Sequence, residues 1–414
     1  MNSTFTRRKL LRTGIASSAA LSLHHDVVCP AVLCNAAEQS KADQNILVVI
    51  ELAGGNDGLN TIIPHSDDEY RKARPNLRID RQQCLAINSD RGFHPALTGF
   101  ASLLEKGMLS IVHGVGYPNP NRSHFESMDI WHSCQRKDQS RIDGWVGRFL
   151  ESLPRQGSND PPALHLGREQ QPFALMSREI RVPSIQSLQQ FRLRSNQSVN
   201  LSDAIESIAA TPAPADNDLL RFIQSSTSSA ISTSKRMEET RKQIPENSTY
   251  PKTPLAEKLR TVASLIASKL QTRVYYVRLD GFDTHANQPD AHAALLREVG
   301  DATEAFINDL QGRGEADRVL VMCFSEFGRR VAENASDGTD HGTAAPVFFA
   351  GGKIRVGEIG EIPSLTDLDQ GDLKHHTDFR SVYATVLQDW LECESEAILN
   401  GNFSPLELFG TKTS

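Results

Sequence analysis

The 414-residue chain has no stretch approaching about 18 uninterrupted apolar residues, which excludes a membrane-spanning helix. Basic residues do not dominate: 44 Lys and Arg stand against 51 Asp and Glu, a formal charge of −7. Residues 1–37 hold four of the basic residues and one of the acidic ones, so the remainder carries −10. A surface that acidic argues against general nucleic-acid binding and against adhesion to anionic membranes, but not against a small anion held in a local site. Cysteine is scarce. None of the six forms a Cys-x-x-Cys pair, so a thiolate zinc site or a redox motif has no support. Four lie beyond residue 37, and one of them, Cys323, sits inside the apolar run Val319–Phe324 and reads as a core residue. There is no internal repeat. With 39% hydrophobic and 23% charged residues, what remains is a soluble globular chain, long enough for a sizeable core.

The first 37 residues read as an export leader. Arg7-Arg8-Lys9 precedes the short, mildly apolar run Thr13–Leu23, which is the twin-arginine pattern, and small residues near Ala36 and Ala37 suit cleavage. The expected location is periplasmic or extracellular, with the twin-arginine export machinery as a partner.

Beyond the leader, continuous apolar runs alternate with helical patterns. Ile46–Ile50, Leu109–Val115, Arg273–Leu279, Val319–Phe324 and Val347–Phe349 predict strands. Leu255, Leu259, Val262 and Ile266 recur at helical spacing, as do Leu295, Val299, Ala302, Phe306 and Leu310; a last helix is predicted over Phe379–Leu391. The alternation predicts an α/β fold with a doubly wound, mostly parallel sheet covered by helices on both faces. Between about 153 and 254 the rhythm breaks into Pro-, Gln- and Ser-rich sequence, with eight Ser or Thr among residues 225–234. This reads as a partly helical insertion or cap, or as a linker, within a single domain spanning 38–414.

In an open α/β sheet, ligands sit beyond the carboxyl ends of the strands. The segments following the strands are Gly54-Gly55-Asn56-Asp57-Gly58, Asn121-Arg122-Ser123-His124, Asp280-Gly281-Phe282-Asp283-Thr284-His285, and Ser325-Glu326-Phe327-Gly328-Arg329 followed by Gly338-Thr339-Asp340-His341-Gly342. Asp and His together suit borderline divalent ions such as zinc or manganese. Asp283, His285, Asp340 and His341 are therefore candidate ligands, with Asp57 a further carboxylate in a glycine-rich turn. Each has a bland reading as well: Asp57 serving its turn, Asp283 capping one, the histidines solvated. The Gly54–Asp57 block also imitates the asparagine block of SGNH esterases, but no Gly-Asp-Ser block precedes it.

Ser123 admits two readings. Ser123-His124-Phe125-Glu126 is a capping box. The same hydroxyl, at a helix start beside Arg122, is also placed to meet a phosphate or sulfate and to act as a nucleophile next to a metal.

These segments, GGNDGLNTIIP (54–64), NRSHFESMDIW (121–131), GFDTHANQ (281–288), SEFGRR (325–330), GTDHG (338–342) and DFRSVYATVLQDWL (378–391), resemble those of the exported domain-of-unknown-function 1501 family. That family is similar to the alkaline phosphatase and sulfatase superfamily. The resemblance implies a doubly wound sheet, one or two divalent ions and hydrolysis of phosphate or sulfate esters. It implies metal roles for Asp57, Asp283, His285, Asp340 and His341, and a nucleophile at Ser123; Arg122 or the helix start is expected to steady the anion. The superfamily spaces its first Asp/His pair three residues apart, against one residue between Asp283 and His285, with Asp280 as a substitute. A final histidine falls to His375 or His376, and Glu326 and Arg329 have no assigned role. The implied partner is a small anionic ester or a sulfated or phosphorylated polymer. The rival expectation is an exported binding protein for an anionic glycan or surface polymer, using the same cleft without turnover.

Overall fold

A computed structural model of the chain describes residues 44–154, 160–185, 211, 220, 224 and 249–410. The export leader and most of the Pro-, Gln- and Ser-rich stretch lie outside the described residues. The fold grows from the five apolar runs. β1 (Ile46–Ala53) is buried along its whole length, as expected for a strand covered on both faces. Its neighbours are β5 (Val274–Asp280) and β6 (Val319–Phe324), both parallel to it. Beyond β6 come β7 (Ala345–Gly351) and β2 (Leu109–Gly116), then β8 (Gly357–Ile359), with the short β9 (Thr377–Asp378) also on β2. β3 (Ala163–Leu166) and β4 (Ser184–Ile185) extend the other side beyond β5.

The sheet order is β8-β2-β7-β6-β1-β5-β3-β4. Only β7 runs against its neighbours, so the sheet is mostly parallel, as the alternation predicted. Part of the 153–254 segment joins this sheet as β3 and β4, an arrangement that the Pro-rich composition does not announce.

Alternation along β1 sends Ile46, Val48, Ile50 and Leu52 to one face and Leu47 and Val49 to the other. On the first face pack α2 (Thr98–Glu105), α5 (Pro254–Ala267) and α6 (Gln288–Gly312), through Phe100, Leu259 and Phe306 among others. On the second pack α3 (His124–Ser133), α4 (Trp145–Ser152) and α7 (Phe379–Thr385), through Trp131, Phe149 and Tyr383. The helical spacing at Leu255–Ile266 and Leu295–Leu310 falls within α5 and α6. The last helix continues past Thr385 as a π turn over Val386–Trp390.

Because β1, β2, β5 and β6 point the same way, the segments after all four emerge at one edge of the sheet. No described helix is long and apolar enough to cross a membrane.

Candidate metal centre

The loop after β5 turns tightly, with Thr284 N donating to Phe282 O at 2.8 Å and His285 N to Asp283 O at 3.1 Å. It is laced to the segment after β6: Thr339 N donates to Thr284 O, and the Asn334 side-chain amide to His285 O. Gly338 permits this approach, since a Cβ there would lie 2.3 Å from the His285 carbonyl carbon. Gly54 does the same for the β1 loop. Its φ is +121°, and a Cβ would stand 2.4 Å from Asp283 N. A β-bridge between Arg329 and His341 then sets His341 beside Asp283.

Arg329 draws these loops together. Its buried guanidinium donates to Gly55 O at 2.6 Å, Thr339 O at 2.8 Å and Phe282 O at 3.0 Å, also meets Gly54 O, and reaches Asp283 Oδ1 at 2.7 Å. Loops following β1, β5 and β6 thus share one cation. α3 is pinned to the same edge by Ser127, whose hydroxyl donates to Glu326 O at 2.7 Å.

Three imidazoles converge on Asp283. The Nε2 atoms of His341, His285 and His124 lie 3.1, 3.2 and 3.4 Å from Asp283 Oδ1. Ligand atoms of His124, Asp283 and His341 all fall within 4.8 Å of one another, forming a possible metal site, and His285 Nε2 lies 2.8 Å from His341 Nε2. Each ring is held from behind. His124 Nδ1 meets Glu326 Oε1 at 2.8 Å, His341 Nδ1 meets Arg122 O at 2.8 Å, and His285 Nδ1 meets Asp340 Oδ1 at 3.3 Å. A carbonyl or carboxylate on Nδ1 puts the proton there and leaves Nε2 with a free lone pair, the arrangement of metal-bound histidines. His124 Nε2 is buried with no hydrogen-bond partner. That orphaned atom, facing a carboxylate and further imidazole nitrogens, fits a divalent cation.

Electrostatics favour ionised carboxylates here. Burial opposes the charge on Asp283, but Arg329 and His341 outweigh it and hold the carboxyl at about 2. Asn334 and then His285 lower Asp340 against a smaller effect of burial. The Glu326 hydrogen bond raises His124, whereas burial lowers His341.

Of the sequence-derived candidates, Asp283, His285 and His341 come together, with Asp340 behind His285. Asp57 stands apart. It is 1% exposed, its oxygens accept from Arg74 at 2.7 and 3.1 Å, and Gln288 donates to it at 2.5 Å. Arg74 follows the helix α1 (Asp68–Ala73) and also donates to Val331 O and Arg330 O, so this pair braces the loops from beneath. Burial opposes ionisation of Asp57, and Arg74 overcomes it, leaving the carboxyl at about 2. Ser123 is exposed at the N-cap of α3 and makes no capping bond. Its expected capping partner, Glu126, is taken by Arg141. Arg122 directs its guanidinium to Asp372, while its carbonyl serves His341. His375 and His376 are outside the cluster, and His376 faces Glu361 at 3.5 Å. The sequence pattern does not select His124 as a ligand, although it opens the helix after β2, in the segment where a site is expected.

A sequence profile of the family described as "Protein of unknown function (DUF1501)" matches residues 89–391. The chain belongs to this family. No curated protein matches it. Among solved structures, PsFucS1 sulfatase from Pseudoalteromonas sp. is 10% identical at a TM-score of 0.38, covering 90% of this chain and 72% of its own. Ps i-CgsB in complex with k-i-k-neocarrahexaose is 11% identical at 0.37, covering 87% and 75%. The C-terminal periplasmic domain of EcEptC from Escherichia coli, in complex with Zn, is 8% identical at 0.32, covering 75% and 74%.

Proposed function

We propose that this DUF1501 protein is an exported, metal-dependent hydrolase of phosphate or sulfate esters. The observation that carries the reading is the convergence of three imidazole Nε2 atoms on Asp283 Oδ1, each ring fixed through Nδ1. In this reading His124, Asp283 and His341 hold one ion, with His285 completing the set. Three nitrogens and one oxygen suit zinc better than manganese. Asp57 is committed to Arg74, which leaves the second ion without its carboxylate.

A bound ion would supply Lewis acidity to the ester and lower the pKa of a nearby hydroxyl. The chain supplies the rest. Ser123 lies between Arg122, whose carbonyl holds His341, and His124. Its oxygen would bond to phosphorus or sulfur as the bond to the alcohol oxygen breaks, the serine proton passing to the departing alcohol; water would then cleave the serine ester, returning a proton to Ser123 and releasing phosphate or sulfate. The Ser123 side chain leaves the first N–H groups of α3 uncapped, and in this reading they steady the developing anion. Export rests on the Arg7-Arg8 leader pattern.

The test is elemental mass spectrometry on the full chain purified without chelator, followed by a screen of aryl phosphates and sulfates. One tightly held equivalent that is lost in His341→Ala, together with turnover of one ester class, is the expected result. A folded protein that takes up no zinc, manganese or iron would overturn the metal reading, and one that binds metal but turns over no ester would be a binding protein.

A further inference from the structure

We propose that Arg122 and Arg330 form a second anion-binding subsite beside the metal centre, taking a sulfate or phosphate that the substrate carries in addition to the ester under attack. The proposal rests on the hydrolase reading and names its substrate class: esters on polyanions rather than isolated monoesters.

The two arginines come from different loops but meet at one carboxylate. Arg122 Nη2 contacts Asp372 Oδ2, and Arg330 Nε lies 3.3 Å from Asp372 Oδ1. Asp372 is fully buried, and its Oδ2 lacks a well-formed hydrogen bond. Two guanidinium groups share the Asp372 carboxylate, and the charge of Arg330 also lowers the Asp340 carboxyl. Arg122 and Arg330 are 38% and 36% exposed, so both guanidinium groups reach solvent. Arg330 Nη2 donates to Gln370 O, which leaves Nη1 of Arg330, and Nε and Nη1 of Arg122, with no partner among the described residues. Guanidinium donors gathered beside a buried carboxylate, with donor atoms to spare, suit a tetrahedral oxyanion.

Position ties the pair to the centre. The Arg122 carbonyl accepts from His341 Nδ1 at 2.8 Å, and Arg330 N donates to Asp340 O at 3.0 Å. Both backbones touch the residue pair Asp340-His341, and both guanidinium groups contact Asp372. An anion bound there is therefore a neighbour of the group held at the metal centre.

The test uses the full chain as wild type, Arg122→Gln, Arg330→Gln and Arg330→Lys. Binding of dextran sulfate and of neutral dextran is followed by calorimetry, which needs no turnover. The sulfated polymer is expected to bind about tenfold more weakly to each glutamine variant, with Arg330→Lys recovering most of the affinity and neutral dextran not binding. In turnover, the preference for glucose 1,6-bisphosphate over glucose 6-phosphate, or for the matching disulfate over the monosulfate, falls about tenfold in Arg330→Gln. Whichever pair shows that preference identifies the anion. Unchanged dextran sulfate affinity in both glutamine variants, with native unfolding temperatures, overturns the subsite. Arginine-dependent binding without turnover of any ester would instead defeat the hydrolase reading and leave the subsite standing.

Discussion

Glu326 accepts from His124 Nδ1 across 2.8 Å, and this contact decides which edge of the imidazole faces Asp283. The same carboxylate oxygen takes the Gly54 N–H at 2.9 Å, so the residue that orients the histidine also fixes the first glycine of the β1 loop. Outer acceptors on ligating histidines typically matter about 10–100-fold in metal affinity. Glu326→Ala is expected to weaken zinc binding by about that factor, and Glu326→Gln, which keeps an acceptor, by less. Chelator competition measures it. Equal affinity in all three proteins would mean that the contact does not orient a ligand.

Much of this was legible in the sequence, for physical reasons that also set the limit. Strands buried on both faces must be continuously apolar, so β1, β5 and β6 declare themselves, and with them the edge where Asp283 and His341 meet. β3 and β4 are short and lie in Pro-rich sequence, so no local pattern marks them. His124 is obscured because Ser123 and Glu126 spell a capping box, whereas the fold gives Glu126 to Arg141. Asp57 looks like a free carboxylate until Arg74 arrives from the end of α1, and nothing near residue 57 announces that partner. Glu326 and Arg329 act through backbone carbonyls, N–H groups and side chains brought in by other loops, which composition and spacing do not encode.

Arg74→Ala should be costly. The pair with Asp57 is dry, with side chains 0% and 1% exposed, and removing the cation leaves a buried carboxylate with Gln288 as its remaining side-chain hydrogen-bond donor among the described residues. Breaking such a pair from one side costs about 3–5 kcal/mol. Urea unfolding is expected to show a loss of that size, and a loss well under about 1 kcal/mol would mean that water reaches Asp57.

Acid should destabilise the fold through Glu358. Burial raises its pKa, but His113 and Arg91 bind the carboxylate and bring it down to about 2. The folded value lies below the ordinary 4.5. This stabilisation is therefore complete above about pH 4.5 and is lost as the pH falls toward 2, amounting to about 3 kcal/mol. Unfolding free energies measured between pH 6 and 2 are expected to fall less steeply in Glu358→Gln. Parallel curves for the two proteins would remove Glu358 from the account.

Ser123 offers the sharpest separation of structure from chemistry. Its backbone has the extended conformation of an N-cap, with φ −85° and ψ 127°, yet its side chain accepts no capping bond. An N-cap serine that does cap contributes about 0.5–2 kcal/mol, so Ser123→Ala should leave stability within about 0.5 kcal/mol of wild type. If the hydroxyl is the nucleophile, the same change should lower turnover about a thousandfold or more while metal content stays constant. Thermal unfolding, elemental analysis and kinetics on one preparation test both halves together. Loss of stability with turnover intact would return Ser123 to the capping box, and the centre would then need a different nucleophile.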